Sequence, residues 1–145
     1  MVTNASVTAI FAESIRKESS GQYTIVGAFE DVAEFSTRSQ VLPQLAVHAT
    51  LSTLVENPFI PIKIRLRWVN GKTLMEKELP EDLKEQQMQA HQKRSAGEKS
   101  GWLYLRVKLS LTGIEVSDGG RLVVELENVK GLLVSSNALC FKINS

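Results

Sequence analysis

The chain has 145 residues, 43% of them hydrophobic and 23% charged, with 17 Lys+Arg against 16 Asp+Glu. That length is one domain with its own core, the composition excludes whole-chain disorder, and a net charge of +1 argues against a duplex binder that works mainly by charge. One cysteine excludes a disulfide framework and a multi-cysteine zinc site, and two histidines leave little from which to build a metal centre.

The N-terminal residues lack a basic region, and Ala9-Ile10-Phe11-Ala12 is too short for a signal-peptide core. No stretch approaches the roughly 20 apolar residues of a membrane helix. Together with the lone Cys140, this reads as a cytoplasmic chain without a membrane segment.

Alternation of period two dominates the chain, as in half-buried strands, where successive side chains point to opposite faces. Val7, Ala9 and Phe11 share one face over residues 5–12. Tyr23, Ile25 and Phe29 are expected together over residues 22–29, and Ser19-Ser20-Gly21 joins the two segments as a hairpin turn. Residues 44–56 set Leu45, Val47, Ala49, Leu51 and Val55 against Gln44, His48, Thr50 and Ser52. Residues 61–69 set Ile62, Ile64, Leu66 and Trp68 against Lys63, Arg65 and Arg67.

Asn70-Gly71 then predicts a two-residue type I′ turn. Counting outward from it, Lys63 meets Glu78, Arg65 meets Glu76, Leu66 meets Met75 and Ile62 meets Leu79, a register that matches charge with charge and apolar with apolar.

Residues 80–101 break the alternation. Pro80, Glu81 and Asp82 make a helix start, and the few apolar groups after them predict a short surface helix and then a mobile loop. Residues 102–111 resume, with Leu103, Leu105, Val107, Leu109 and Leu111 against Trp102, Tyr104, Arg106, Lys108 and Ser110. Turns at Ser117–Gly120 and Asn128–Gly131 flank a strand that carries Leu122, Val124 and Leu126 inward, and Leu139, Phe141 and Ile143 close the series. The expected fold is an all-β antiparallel two-sheet sandwich of immunoglobulin-like size, with about eight strands and a helical or mobile insertion at 80–101.

Chemistry is sparse. His48, Thr50 and Ser52 stand side by side on one strand face with no orienting acid nearby in sequence, which reads as a polar outer face and not a catalytic pair. Glu30, Asp31 and Glu34 read as a solvated acidic loop. No cofactor or metal is implied, and the chain does not read as an enzyme.

Charge is uneven: residues 1–60 carry net −3, residues 61–110 net +5 and residues 111–145 net −1. Lys63 and Arg65 are neutralised by Glu78 and Glu76. The less compensated cations are Lys93, Arg94, Lys99, Arg106 and Lys108, which with Trp102 and Tyr104 make the candidate binding surface. Three readings of the two aromatics stand, in this order: packing beneath the insertion, a protein interface, and a clamp for single-stranded nucleic acid.

The pattern Glu13-x-Ile15-Arg16-x-Glu18-x-x-Gly21-x-x-x-Ile25-x-Gly27-x-Phe29 resembles the opening hairpin of a group of small uncharacterised bacterial and phage proteins of similar length and β-rich ending. The resemblance covers the first fifth of the chain. It implies a bacterial or phage cytoplasmic setting and carries over no functional residue. The function expected is a non-enzymatic module that binds a protein partner or a second copy of itself; a small-ligand or single-stranded nucleic-acid binder is the alternative.

Overall fold

A computed structural model describes residues 5–35, 40–95 and 101–143. The described strands are β1 (Ala5–Lys17), β2 (Tyr23–Ala28), β3 (Val32–Phe35), β4 (Gln40–Leu54), β5 (Pro61–Trp68), β6 (Thr73–Glu78), β7 (Trp102–Val116), β8 (Arg121–Asn128), β9 (Leu133–Ser135) and β10 (Leu139–Ile143), with one helix, α1 (Leu83–Ser95), between β6 and β7. They form two sheets. One has the order β2-β1-β4-β7; the other has β3-β10-β8-β5-β6, with β9 also on β8. The all-β sandwich is therefore as expected, with the short strands β3 and β9 added. Neighbouring strands are antiparallel except β3, which runs parallel to β10.

The alternation explains the core. Phe11, Leu45, Val47 and Leu51 from the first sheet meet Ile64, Leu66, Leu122, Val124, Leu126 and Phe141 from the second in one buried cluster. Phe141 stacks on Phe35 at 6.0 Å and meets the Trp68 ring edge-on at 5.4 Å, geometries that aromatic quadrupoles favour. Trp68 also limits two turns. A Cβ at Gly120 would stand 2.9 Å from its ring, and a Cβ at Gly71 would stand 2.9 Å from its own Cβ.

The β5–β6 register holds at Lys63–Glu78, Arg65–Glu76 and Leu66–Met75. The turn itself differs from expectation. Asn70 alone takes positive φ (60°), Gly71 N–H donates to Trp68 O, and Trp68 N–H donates to Lys72 O, so three residues and not two form the loop. The register slips between Leu66 and Arg67 to absorb the extra residue. Ile62 is exposed and not inward, because β5 bulges against β8 between Pro61 and Lys63. Thr53, not Val55, completes the inward face of β4. It is fully buried, and its Oγ1 accepts the Phe59 N–H at 2.7 Å.

A larger correction concerns the first hairpin. Tyr23, Ile25 and Phe29 do not share one environment. Phe29 packs on the main core, whereas Tyr23 and Ile25 are exposed. β1 stays on β4 only as far as the Ala12–Ala46 pair. Beyond it, Gly27 turns at φ 64°, with the Glu13 side chain in the space a Cβ would need. The rest of the β1–β2 ribbon is an arm that reaches the outer face of β4. Ile15 is buried there against Ala12 and Ala46, and Tyr23 meets the His48 ring edge-on at 5.0 Å.

Candidate functional site

The outer face of the first sheet collects the polar sides of two strands that the sequence marks separately. The β4–β7 pairing sets Leu54 beside Trp102, Ser52 beside Tyr104, Thr50 beside Arg106 and His48 beside Lys108. Trp102 is 46% exposed and Tyr104 41% exposed, so neither is fully buried. The Arg106 guanidinium lies over the Tyr104 ring, 5.8 Å from its centroid, as cation–π attraction favours. Lys108 is exposed. Trp102, Tyr104, Arg106 and Lys108 thus form one row on a rigid strand.

Lys93 and Arg94 fall within α1. Lys99 lies outside the described residues, as do positions 96–100 of the insertion generally. The insertion is helical over Leu83–Ser95, and α1 lies against β7. Leu83 and Gln87 are buried, which gives the segment a firmer seat than its sparse apolar content suggests. Both polar atoms of the Gln87 amide are buried and find no partner among the described residues.

His48 sits at the arm's end of the row. Its Nε2 is buried and has no hydrogen-bond partner among the described residues. Burial first, and then the positive charge of Arg106, holds its pKa below the ordinary 6.5. A base in a Ser–His pair needs a carboxylate to stabilise its imidazolium. Here the charged neighbour acting on the ring is a cation, which opposes that state.

Sequence reasoning missed the densest charge cluster, on the outer face of the second sheet. Arg65 Nε donates to Glu76 Oε1 at 2.7 Å, as the hairpin register implies, but Nη1 also reaches Glu125 Oε1 at 3.2 Å and Nη2 reaches Glu127 Oε1 at 2.8 Å. Arg67 Nε donates to Glu125 Oε2 at 2.9 Å. The hydrogen bonds that Arg65 donates to Glu127 and then to Glu76 hold its pKa above the ordinary value. The side chains of Arg65 and Glu125 are only 16% and 7% exposed. All three guanidinium nitrogens of Arg65 are engaged, which assigns this network to stability.

Among the described residues, no three His, Cys, Asp or Glu side chains gather as metal ligands would. Cys140 is a free, half-buried thiol on β10, and its N–H donates to Asp31 O at 2.9 Å. A cavity of about 320 Å³ lies elsewhere, between Trp68, Lys72 and Leu74 on one side and residues 111–115 of β7 on the other. The Trp102–Lys108 row does not line it. No described helix is long and apolar enough to cross a membrane. The chain matches no known family model, no curated protein and no solved structure.

Proposed function

We propose that the chain is a non-enzymatic binding module that engages a protein partner through the outer face of β7, in a bacterial or phage cytoplasm. One observation carries this reading: Trp102 and Tyr104 stand half-exposed in line with Arg106 and Lys108 on a strand whose other face is locked into the core. Exposed large aromatics beside arginine are the residue types that dominate protein interfaces when they become desolvated. A rigid strand presents them with little entropy left to lose on binding.

The tyrosine ring favours a protein over nucleic acid. A stacked base needs a bare aromatic face. Arg106 already lies over one face of Tyr104. The free Cys140 suits a reducing compartment and supports the cytoplasmic assignment.

The test is native mass spectrometry of the protein recovered from its own cells, wild type beside a Trp102→Ala/Tyr104→Ala double variant with an unchanged circular dichroism spectrum. A polypeptide retained by the wild type and lost from the variant is the expected result. A complex that survives the double substitution places the interface elsewhere. A nuclease-sensitive complex with a steep salt dependence makes the ligand a nucleic acid instead.

A further inference from the structure

A sheet edge is a row of unpaired backbone donors and acceptors, and natural proteins blunt such rows with charge, short length, proline or a covering segment. Among the described strands, β2 and β7 end one sheet, β3 and β6 end the other, and the three-residue β9 pairs with β8 alone. β6 carries Glu76, Lys77 and Glu78. β3 has four residues, including the exposed Glu34. β7 carries Arg106, Lys108 and Glu115, turns to positive φ at Gly113, and has α1 against it. The part of β1 that β2 leaves uncovered is closed at Ala9 by the side chain of Asn137.

β2 shares the positive φ, at Gly27, but carries none of the charge. Its six residues, Tyr23-Thr24-Ile25-Val26-Gly27-Ala28, include no charged side chain and no proline. It pairs with β1 along one edge and with no described strand along the other. Tyr23, Ile25 and Val26 are exposed, Val26 at 46%.

We infer that β2 is a self-pairing edge, through which two copies of this chain join antiparallel about a two-fold axis. The occupant is a second copy because of charge. A two-fold antiparallel pair sets a strand against itself, so any charge near its centre meets the same sign across the axis. Arg106 and Lys108 impose that repulsion on β7, and Glu76 and Glu78 impose it on β6. On β2, a register centred on Ile25 sets Ile25 against its own counterpart and Thr24 against Val26, with no charge opposed. The pairing adds backbone hydrogen bonds and covers the exposed Tyr23 and Ile25 side chains. It leaves β7, at the opposite edge of each sheet, available to a different partner.

Sedimentation velocity over a wide concentration range tests this. The wild type is expected to pass from monomer to dimer as concentration rises. Val26→Lys sets two lysines close to the axis and is expected to raise the dissociation constant at least tenfold, with an unchanged circular dichroism spectrum. Ile25→Cys in a Cys140→Ser background is expected to form a covalent dimer on mild oxidation, because the two new thiols face each other. That variant also decides the matter if the lysine variant fails to fold. A chain that stays monomeric throughout overturns the inference. So does a dimer that Val26→Lys leaves intact, or one that Ile25→Cys cannot cross-link. Peptide strands of other proteins that bind at β2 while the chain stays monomeric overturn it as well.

Discussion

The side chain of Asn137 stands in for a missing strand beside Ala9, 128 positions earlier in the chain. Its Oδ1 accepts the Ala9 N–H at 2.8 Å, and its Nδ2 donates to the Ala9 carbonyl at 3.0 Å. β4 pairs with one edge of β1 there, and β2 does not begin to cover the other until Ala12. One amide thus satisfies both groups that the sheet leaves open, and only one orientation of that amide can do so.

Asn137→Ala removes both partners and leaves a partly buried N–H and C=O unpaired. At roughly 1 kcal/mol for each bond, with an added penalty for the unsatisfied groups, the expected loss is about 2–3 kcal/mol. Urea unfolding measures it. Asn137→Asp keeps an acceptor but sets a carboxylate against the Ala9 carbonyl, and it is expected to be no better than alanine. A loss within a few tenths of a kcal/mol for both variants means that the amide does not hold this edge.

Arg65 and Glu76 are not an equal pair. Replacing Arg65 with Met strands Glu127 and leaves Glu125 with Arg67 alone on a poorly solvated face, at an expected cost of about 3 kcal/mol. Glu76→Gln removes a partner whose side chain is half-exposed, at a cost under about 1 kcal/mol. The charge swap Arg65→Glu with Glu76→Arg restores little, since the new carboxylate still faces Glu125 and Glu127. Equal losses for the two single variants contradict the network.

The lowered pKa of His48 makes stability depend on pH. A group held below its ordinary value binds fewer protons folded than unfolded, so folding is favoured as pH rises through that interval. The contribution is complete above pH 6.5 and is lost as pH falls from there through the lower folded value. Thermal midpoints between pH 8 and pH 5 should fall more for the wild type than for His48→Asn. Parallel curves assign the pH dependence to other groups.

Gly27→Ala tests the bend of the arm. At φ 64° an alanine is strained by about 1–2 kcal/mol, and the Glu13 side chain must also move. The expected outcome is a modest loss of global stability with a larger local effect: the nuclear Overhauser contacts between the Tyr23 and His48 rings weaken. Unchanged ring contacts place the bend elsewhere.

The legible parts of this fold are the local ones. Charge matching across a short loop recovers Lys63–Glu78 and Arg65–Glu76, since hairpin neighbours lie close in sequence. The row Trp102, Tyr104, Arg106 and Lys108 is visible as the polar phase of one alternating strand. Glu125 is not legible as a partner of Arg65 because the β5–β8 pairing that joins them spans 60 positions. Asn137 leaves no trace either, because a lone asparagine near a turn has an ordinary local explanation. The arm does leave a trace. Ala12 and Ile15 are both buried, a spacing of three that breaks the period of two. That phase break marks the bend, although alternation alone does not say what the arm then touches.

The parallel seat of β3 on β10 also bears on how the chain is made. β3 emerges early during synthesis, yet it has no sheet to join until residues 139–143 have been added. At about 5–20 residues per second, Ala33 and Phe35 wait on the order of ten seconds for Phe141. Contacts this distant fold slowly, because a long loop must close before any burial rewards it. The nascent chain therefore holds the β3–β10 end of its second sheet open until late, and a ribosome stalled before position 139 leaves Ala33 and Phe35 without the strand that seats them.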